Sequence, residues 1–263
     1  MLSDQCNSGS LFNKYRPQTL TDVKGQTEAV DQVGSFLATR GENESRAFLF
    51  HGPTGIGKTA LALAVAVDLG CDMQAGELGG LHELASGRQD GQAVTDLMRL
   101  LRLRPMFGSG WKVAILNEAD GMSAGAVTQW LDAMEHLPPR TVLIFTTNDP
   151  AKLPNRFLGR VEMIRFVAVG TAFVSAMRSL LRRIWRTETG KPCPTLPRDI
   201  GRFELASSDY SIRLAIQQLS PFLRGARELP TSIIPPIIRC ESIGSDAAHK
   251  AWATRRRKAV ARV

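Results

Sequence analysis

Residues 52–59 read Gly-Pro-Thr-Gly-Ile-Gly-Lys-Thr and fit the spacing GxxxxGK[ST]. Glycines at Gly52, Gly55 and Gly57 let successive backbone N–H groups curl around anionic oxygens, and a helix beginning just after them adds positive potential. Lys58 is placed to reach the β and γ phosphates of a nucleoside triphosphate, and the Thr59 hydroxyl to ligate Mg²⁺. Pro53, Thr54, Ile56 and Ala60 complete the loop. The predicted cofactors are ATP and Mg²⁺.

Further along, Val113-Ala114-Ile115-Leu116 leads into Asn117-Glu118-Ala119-Asp120. An apolar strand ending in two acids is the usual second half of a phosphate-loop site: the first acid holds the metal shell and the second activates the attacking water. Here the first position is Asn117, an amide that brings no charge to balance a cation. Glu118 remains as the candidate general base. Thr147 and Asn148 follow a third apolar run and are candidates for a polar contact between the γ phosphate and the water. Arg160 is a candidate for neutralising transition-state charge, and Arg213 for reaching back to the phosphates.

These groups need rigid elements to hold them. Ala-Phe-Leu-Phe-His from Ala47 predicts a strand before the loop, and Ala60 to Leu69 an Ala/Leu-rich helix after it. Val113–Leu116 and Val142–Phe145 predict two more strands with helices between them, hence an α/β fold with a parallel sheet covered on both faces. After Val167 the pattern is helical, Phe173 to Trp185 and Ile212 to Leu223, which predicts a small helical lid domain. The predicted organisation is therefore a loose N-terminal arm (1–13), a nucleotide-binding α/β domain (14–167), a helical lid (168–228), and a linker with a basic tail (229–263).

With 263 residues, 43% hydrophobic and 22% charged, the chain has enough apolar content for such a core. Cys6, Cys71, Cys193 and Cys240 are too dispersed for a zinc ribbon or disulfide framework. No window reaches the length of a membrane span, and the first thirty residues lack a signal-peptide pattern, so a cytoplasmic location is expected. A formal charge of +8 suits a polyanionic partner, DNA before others.

Taken in order from about Lys14 to Leu219, these segments resemble clamp-loader AAA+ ATPases, meaning the small subunits of replication factor C and the bacterial DNA polymerase III tau and gamma subunits. Lys14-Tyr15-Arg16-Pro17, Leu20, Asp22-Val23 and Gly25-Gln26 are similar to the family's opening motif, which implies that Tyr15, Arg16, Pro17 and Val23 lie against the adenine. Met122-Ser123, Met134-Glu135, Pro138-Pro139, Thr146-Thr147-Asn148-Asp149-Pro150 and Lys152-Leu153-Pro154 are similar to the bacterial branch. The resemblance implies that Asn148 or Thr147 is the sensor 1 residue, Arg160 an arginine finger acting on a neighbouring subunit, and Arg213 sensor 2. It also implies that Arg88, Arg99, Arg102 and Arg104 face DNA, and that the partners include a sliding clamp and sibling AAA+ subunits in an oligomer.

The chain departs from the family at three places. Gly159-Arg160-Val161 replaces Ser-Arg-Cys around the finger, Asn117 replaces an acid, and the bacterial zinc insert is missing. The segment after Glu228 is expected to leave no room for the family's helical collar. The favoured reading is an ATP-driven, clamp-loader-like ATPase acting on DNA in replication or repair. Two others stay open: a weakly hydrolysing assembly or adaptor subunit beside an active ATPase, and a branch-migration motor.

Overall fold

Five runs become parallel strands: β1 (Arg46–His51), β2 (Leu81–Leu84), β3 (Lys112–Leu116), β4 (Thr141–Thr147) and β5 (Glu162–Arg165). They form one sheet in the order β2-β3-β4-β1-β5. The register sets Phe48 of β1 beside Ile144 of β4, and Val113 of β3 beside Val142. Every residue of β3 and β4 is buried, as expected of central strands covered on both faces. The computed structural model describes residues 8–85, 90–202, 209–223 and 229–233, all of them in one compact unit, Met1–Ile233.

The alternation of side chains along each strand divides the interior in two. Phe48, Phe50, Val113, Ile115, Val142 and Ile144 pack with α2 (Thr27–Thr39) and α3 (Lys58–Asp68) on one face. Ala47, Leu49, Ala114, Leu116, Leu143 and Phe145 pack on the other with α4 (Gly91–Arg102), α5 (Ala124–Glu135) and α6 (Asn155–Leu158). The helices start on local signals: Asp90 caps α4 by accepting from the Ala93 N–H, and Ser123 caps α5 by accepting from Ala126. At the other end of α4, the buried Lys112 ammonium donates to the Leu101 carbonyl at 2.6 Å.

The lid contains α7 (Thr171–Thr189) and α8 (Ile212–Leu223), which bury Met177, Leu181 and Ile184 against Ala215, Ile216 and Leu219. A third helix joins them from the chain's beginning. Residues 8–13, expected as part of a loose arm, lie in α1 (Ser8–Lys14), and its Leu11 is buried in the lid core. Leu11 and Phe12 are adjacent and are the helix's only large apolar side chains, so no helical period is present there; tertiary burial supplies what local pattern lacks.

Where the α/β domain passes into the lid, Gln26 acts as a clamp. Its Oε1 accepts from the Val167 N–H at 3.0 Å and its Nε2 donates to the Val167 carbonyl at 2.8 Å. Gly170, with φ of 98°, then caps the start of α7. Among the described residues no helix is long and apolar enough to cross a membrane.

Candidate functional site

The phosphate loop runs from the end of β1 to the first turn of α3. Gly52 (φ 142°) has no room for a side chain, since a Cβ would lie 2.6 Å from the Phe166 carbonyl. Gly57, with φ of 110°, is the left-handed cap from which α3 departs. The loop is thus pinned from behind by the residue that follows β5, and the Gly52 N–H donates to the Thr147 carbonyl at 3.3 Å.

Lys58 is 9% exposed. Its ammonium donates to the carbonyls of Gly52 at 2.5 Å and Pro53 at 2.7 Å, and to Asn148 Oδ1 at 2.9 Å. Burial pushes its pKa down to about 8; Asp120 opposes this, Arg213 adds to it, and Glu118 opposes it. The lysine is therefore held at the loop by neutral oxygens, with its charge balanced at longer range by two acids.

Asn117 occupies the end of β3. Its Oδ1 accepts from the Thr59 hydroxyl at 3.0 Å and the Thr146 hydroxyl at 3.3 Å. The Thr146 oxygen also accepts from the Glu118 N–H at 3.3 Å. Glu118 stands in the left-handed region (φ 57°, ψ 53°), uncommon for a residue with a side chain and costly by about 1 kcal/mol. Its side chain is thereby turned out of the strand direction at the cleft wall.

The two sensor candidates part company. Asn148 faces Lys58, whereas the buried Thr147 donates its hydroxyl to Asp120 Oδ1 at 2.9 Å. Thr146 and Asp120 were within the quoted motifs, yet residue type alone assigned them nothing. Their roles come from neighbouring strand ends, which sequence spacing does not display.

All of this opens on a cleft of about 940 Å³. Its floor is Thr54 to Ala60 with Asn117, Glu118, Thr147 and Asn148, and its far wall carries Ile212 and Arg213. Tyr15, Arg16, Pro17 and Val23 line the opposite end, together with Phe12 and Leu180, which sequence reasoning did not single out. The Tyr15 hydroxyl is committed to Glu188 at 2.6 Å, so only the ring is offered to the cleft. Arg183 of α7 also lines it and was missed, because a single arginine on a basic helix carries no distinguishing signal.

Arg160 does not line the cleft. Its guanidinium pairs with Glu135 at the end of α5, and it stays partly exposed. Arg99, Arg102 and Arg104 are exposed in and just beyond α4, with Arg99 paired to Asp96 at 3.3 Å. Arg88 lies outside the described residues.

The family model described as "ATPase family associated with various cellular activities (AAA)" matches residues 48–169. A replication factor C small subunit of Thermoplasma acidophilum is 29% identical over 164 residues, covering 62% of this chain and 50% of the relative. A replication factor C large subunit of Sulfolobus acidocaldarius is 30% identical over 185 residues, covering 67% of this chain and 40% of the relative. The chain thus spans half the length of these curated relatives or less. Among solved structures, the Thermotoga maritima RuvB Holliday junction branch migration motor shares the fold, with a TM-score of 0.58 at 17% identity over 83% of this chain and 70% of that one. The phosphate loop on β1 and α3, the five-stranded parallel order and the family match agree: this chain carries an AAA ATPase domain.

Proposed function

We propose that the chain binds Mg²⁺-ATP in this cleft and hydrolyses it to drive clamp-loader-like work on DNA in replication or repair. The observation that carries the reading is the convergence of Lys58, Thr59, Asn148 and the lid's Arg213 on one cleft. The replication factor C relatives support the kind of work.

The residues present fit the nucleotide. Loop N–H groups and Lys58 would hold the phosphates, and the apolar end near Tyr15, Pro17 and Val23 would take the base. Thr59 and Asn117 offer two neutral oxygens, which suits a cation bound chiefly through phosphates. When bound, Mg²⁺ would neutralise charge on the phosphate oxygens. Glu118 would orient and deprotonate the attacking water, Asn148 would fix its position, and Arg160 would serve a neighbouring subunit's site.

Two surface features support macromolecular partners. A net charge of +8 with exposed Arg99, Arg102 and Arg104 suits a phosphate backbone. Beside them Leu78, Leu103, Met106 and Phe107 are exposed by 50% or more. The Leu78 carbonyl accepts from the N–H groups of Met106 and Phe107, which brings this apolar group together. Such a patch suits a protein partner, here a sliding clamp or sibling subunit. A cytoplasmic location accords with this work.

Phosphate release measured with and without primed DNA and a sliding clamp tests the proposal. Stimulation of several-fold is expected; ATP binding with no response to either would overturn the clamp-loader part. One observation favours a second reading: Asn117 at the metal shell supports an adaptor that binds nucleotide and turns it over slowly.

A further inference from the structure

Beyond its long-range charge on Lys58, Asp120 touches the turn that carries Asn148 at both ends. It sits in the helical turn after β3, with its side chain 16% exposed. Its Oδ1 accepts the Thr147 hydroxyl at 2.9 Å, and its Oδ2 lies 3.6 Å from the Lys152 ammonium. The Thr147 oxygen in turn accepts the Asp149 N–H at 3.1 Å. Between these anchors Asn148 is exposed, and its Oδ1 meets Lys58 Nζ at 2.9 Å.

We infer that Asp120 is a positioning residue: its carboxylate straps the 147–152 turn to the end of β3 and thereby holds the Asn148 amide against Lys58. An exposed asparagine at the apex of a short turn has several rotamers open to it, and solvent competes for its amide. A strap on both sides removes the backbone freedom that would let the apex swing away. The strap also explains why Thr147 is buried with its hydroxyl committed to Asp120: it is the peg, and Asn148 is the group presented. The charge matters as well as the acceptor atoms, because the Lys152 ammonium meets Asp120 as an ion pair, whereas Thr147 needs no more than an oxygen. The consequence for turnover rests on the proposed ATPase reading; the consequence for geometry does not.

The experiment follows the side-chain amide signal of Asn148 in the full chain by ¹⁵N NMR, assigned by its loss in Asn148→Ala. In Asp120→Ala and in Thr147→Val the signal is expected to move to the position of a solvent-exposed asparagine. In Asp120→Asn, which keeps an acceptor oxygen for Thr147 but gives up the charge that pairs with Lys152, it should lie between the wild-type and the solvent-exposed positions. An unmoved signal in Asp120→Ala overturns the inference, and if that variant does not fold, an unmoved signal in Thr147→Val does the same.

Turnover supplies the second readout. Asp120→Ala and Asn148→Ala should each lower kcat by about tenfold while nucleotide affinity changes by less than about threefold. The double variant should be no slower than Asn148→Ala alone, since one residue acts through the other. A multiplied loss in the double variant would show that Asp120 acts by a separate route. Failure of the wild-type chain to bind nucleotide would instead remove the ATPase reading, with the NMR signal still deciding the strap.

Discussion

The carbonyl oxygen of Gly55 accepts a hydrogen bond from the backbone N–H of Arg213 at 3.2 Å. One of the N–H groups that a helix leaves unsatisfied in its first turn is thus donated by α8 to the phosphate loop. Ser211, which caps α8 by accepting from Leu214, lies against the same glycine. Lid and loop are in direct backbone contact.

Gly55→Ala is expected to break this contact. Gly55 has φ of 74°, and a Cβ there would collide with Ser211 Oγ. The clash and the left-handed backbone should together cost about 1–3 kcal/mol. Thermal unfolding should shift down by several degrees and nucleotide affinity should fall. An unchanged melting temperature would show that the lid does not depend on this contact.

Nucleotide affinity should fall as pH rises through about 8, where Lys58 loses its proton in the nucleotide-free protein. Phosphates favour the ammonium, so binding takes up a proton above that pH, and the loss approaches about tenfold per unit. Below it the profile should be flat. Fluorescent-nucleotide titrations from pH 7 to 10 read this, and Lys58→Ala should abolish binding at every pH. The same depressed pKa has an opposite effect on folding: between about 8 and the ordinary 10.5 the unfolded chain holds the proton that the folded chain has released, so this residue's contribution to stability rises with pH in that window. A wild-type affinity that stays level across the range would refute the role given to Lys58.

Asn117→Asp places a carboxylate where the Thr59 and Thr146 hydroxyls now meet an amide. With Lys58, Glu118 and Asn148 already in place, Mg²⁺-ATP should bind more tightly and kcat should rise by about tenfold, equivalent to ~1.4 kcal/mol of barrier. Brisk wild-type turnover that the substitution leaves unchanged would remove the main support for the adaptor reading. ATP binding without hydrolysis in both forms, with DNA and partner present, would favour it.

Arg160 lies away from its own cleft and is paired with Glu135. Mixing Arg160→Ala subunits with Lys58→Ala subunits should therefore restore part of the hydrolysis that each lacks alone, by forming interfaces in which one intact arginine meets one intact loop. No recovery in an oligomer shown to be mixed would count against action in trans.

The phosphate loop, the three central strands and both lid helices were legible because each is a local signal: glycine spacing, a continuous apolar run, a helical period. The edge strands β2 (Leu-His-Glu-Leu) and β5 (Glu-Met-Ile-Arg) were not, since half their residues are polar and pairing on one side only is what makes them strands. In the site, Lys58, Thr59 and Asn117 followed from motif. The division of labour between Thr147 and Asn148 did not, because it depends on which neighbour each side chain meets across two strand ends. Arg183 and Phe12 reach the cleft only through the packing of α7 and α1.

The Gln26 clamp turns the junction of the two domains into a lever with a fixed fulcrum. Val167 is held on both its N–H and its carbonyl, so any rotation of the lid would fall to the residues that follow it, ending at Gly170. Beyond Gly170 the 19 residues of α7 form a rigid arm of about 28 Å. A turn of only about 10° at its base carries the far end through roughly 5 Å, the pitch of one helical turn. Small torsional changes beside Gly170 would thereby be magnified at the distal end of the lid, and the side-chain amide of one glutamine would decide where the magnification begins.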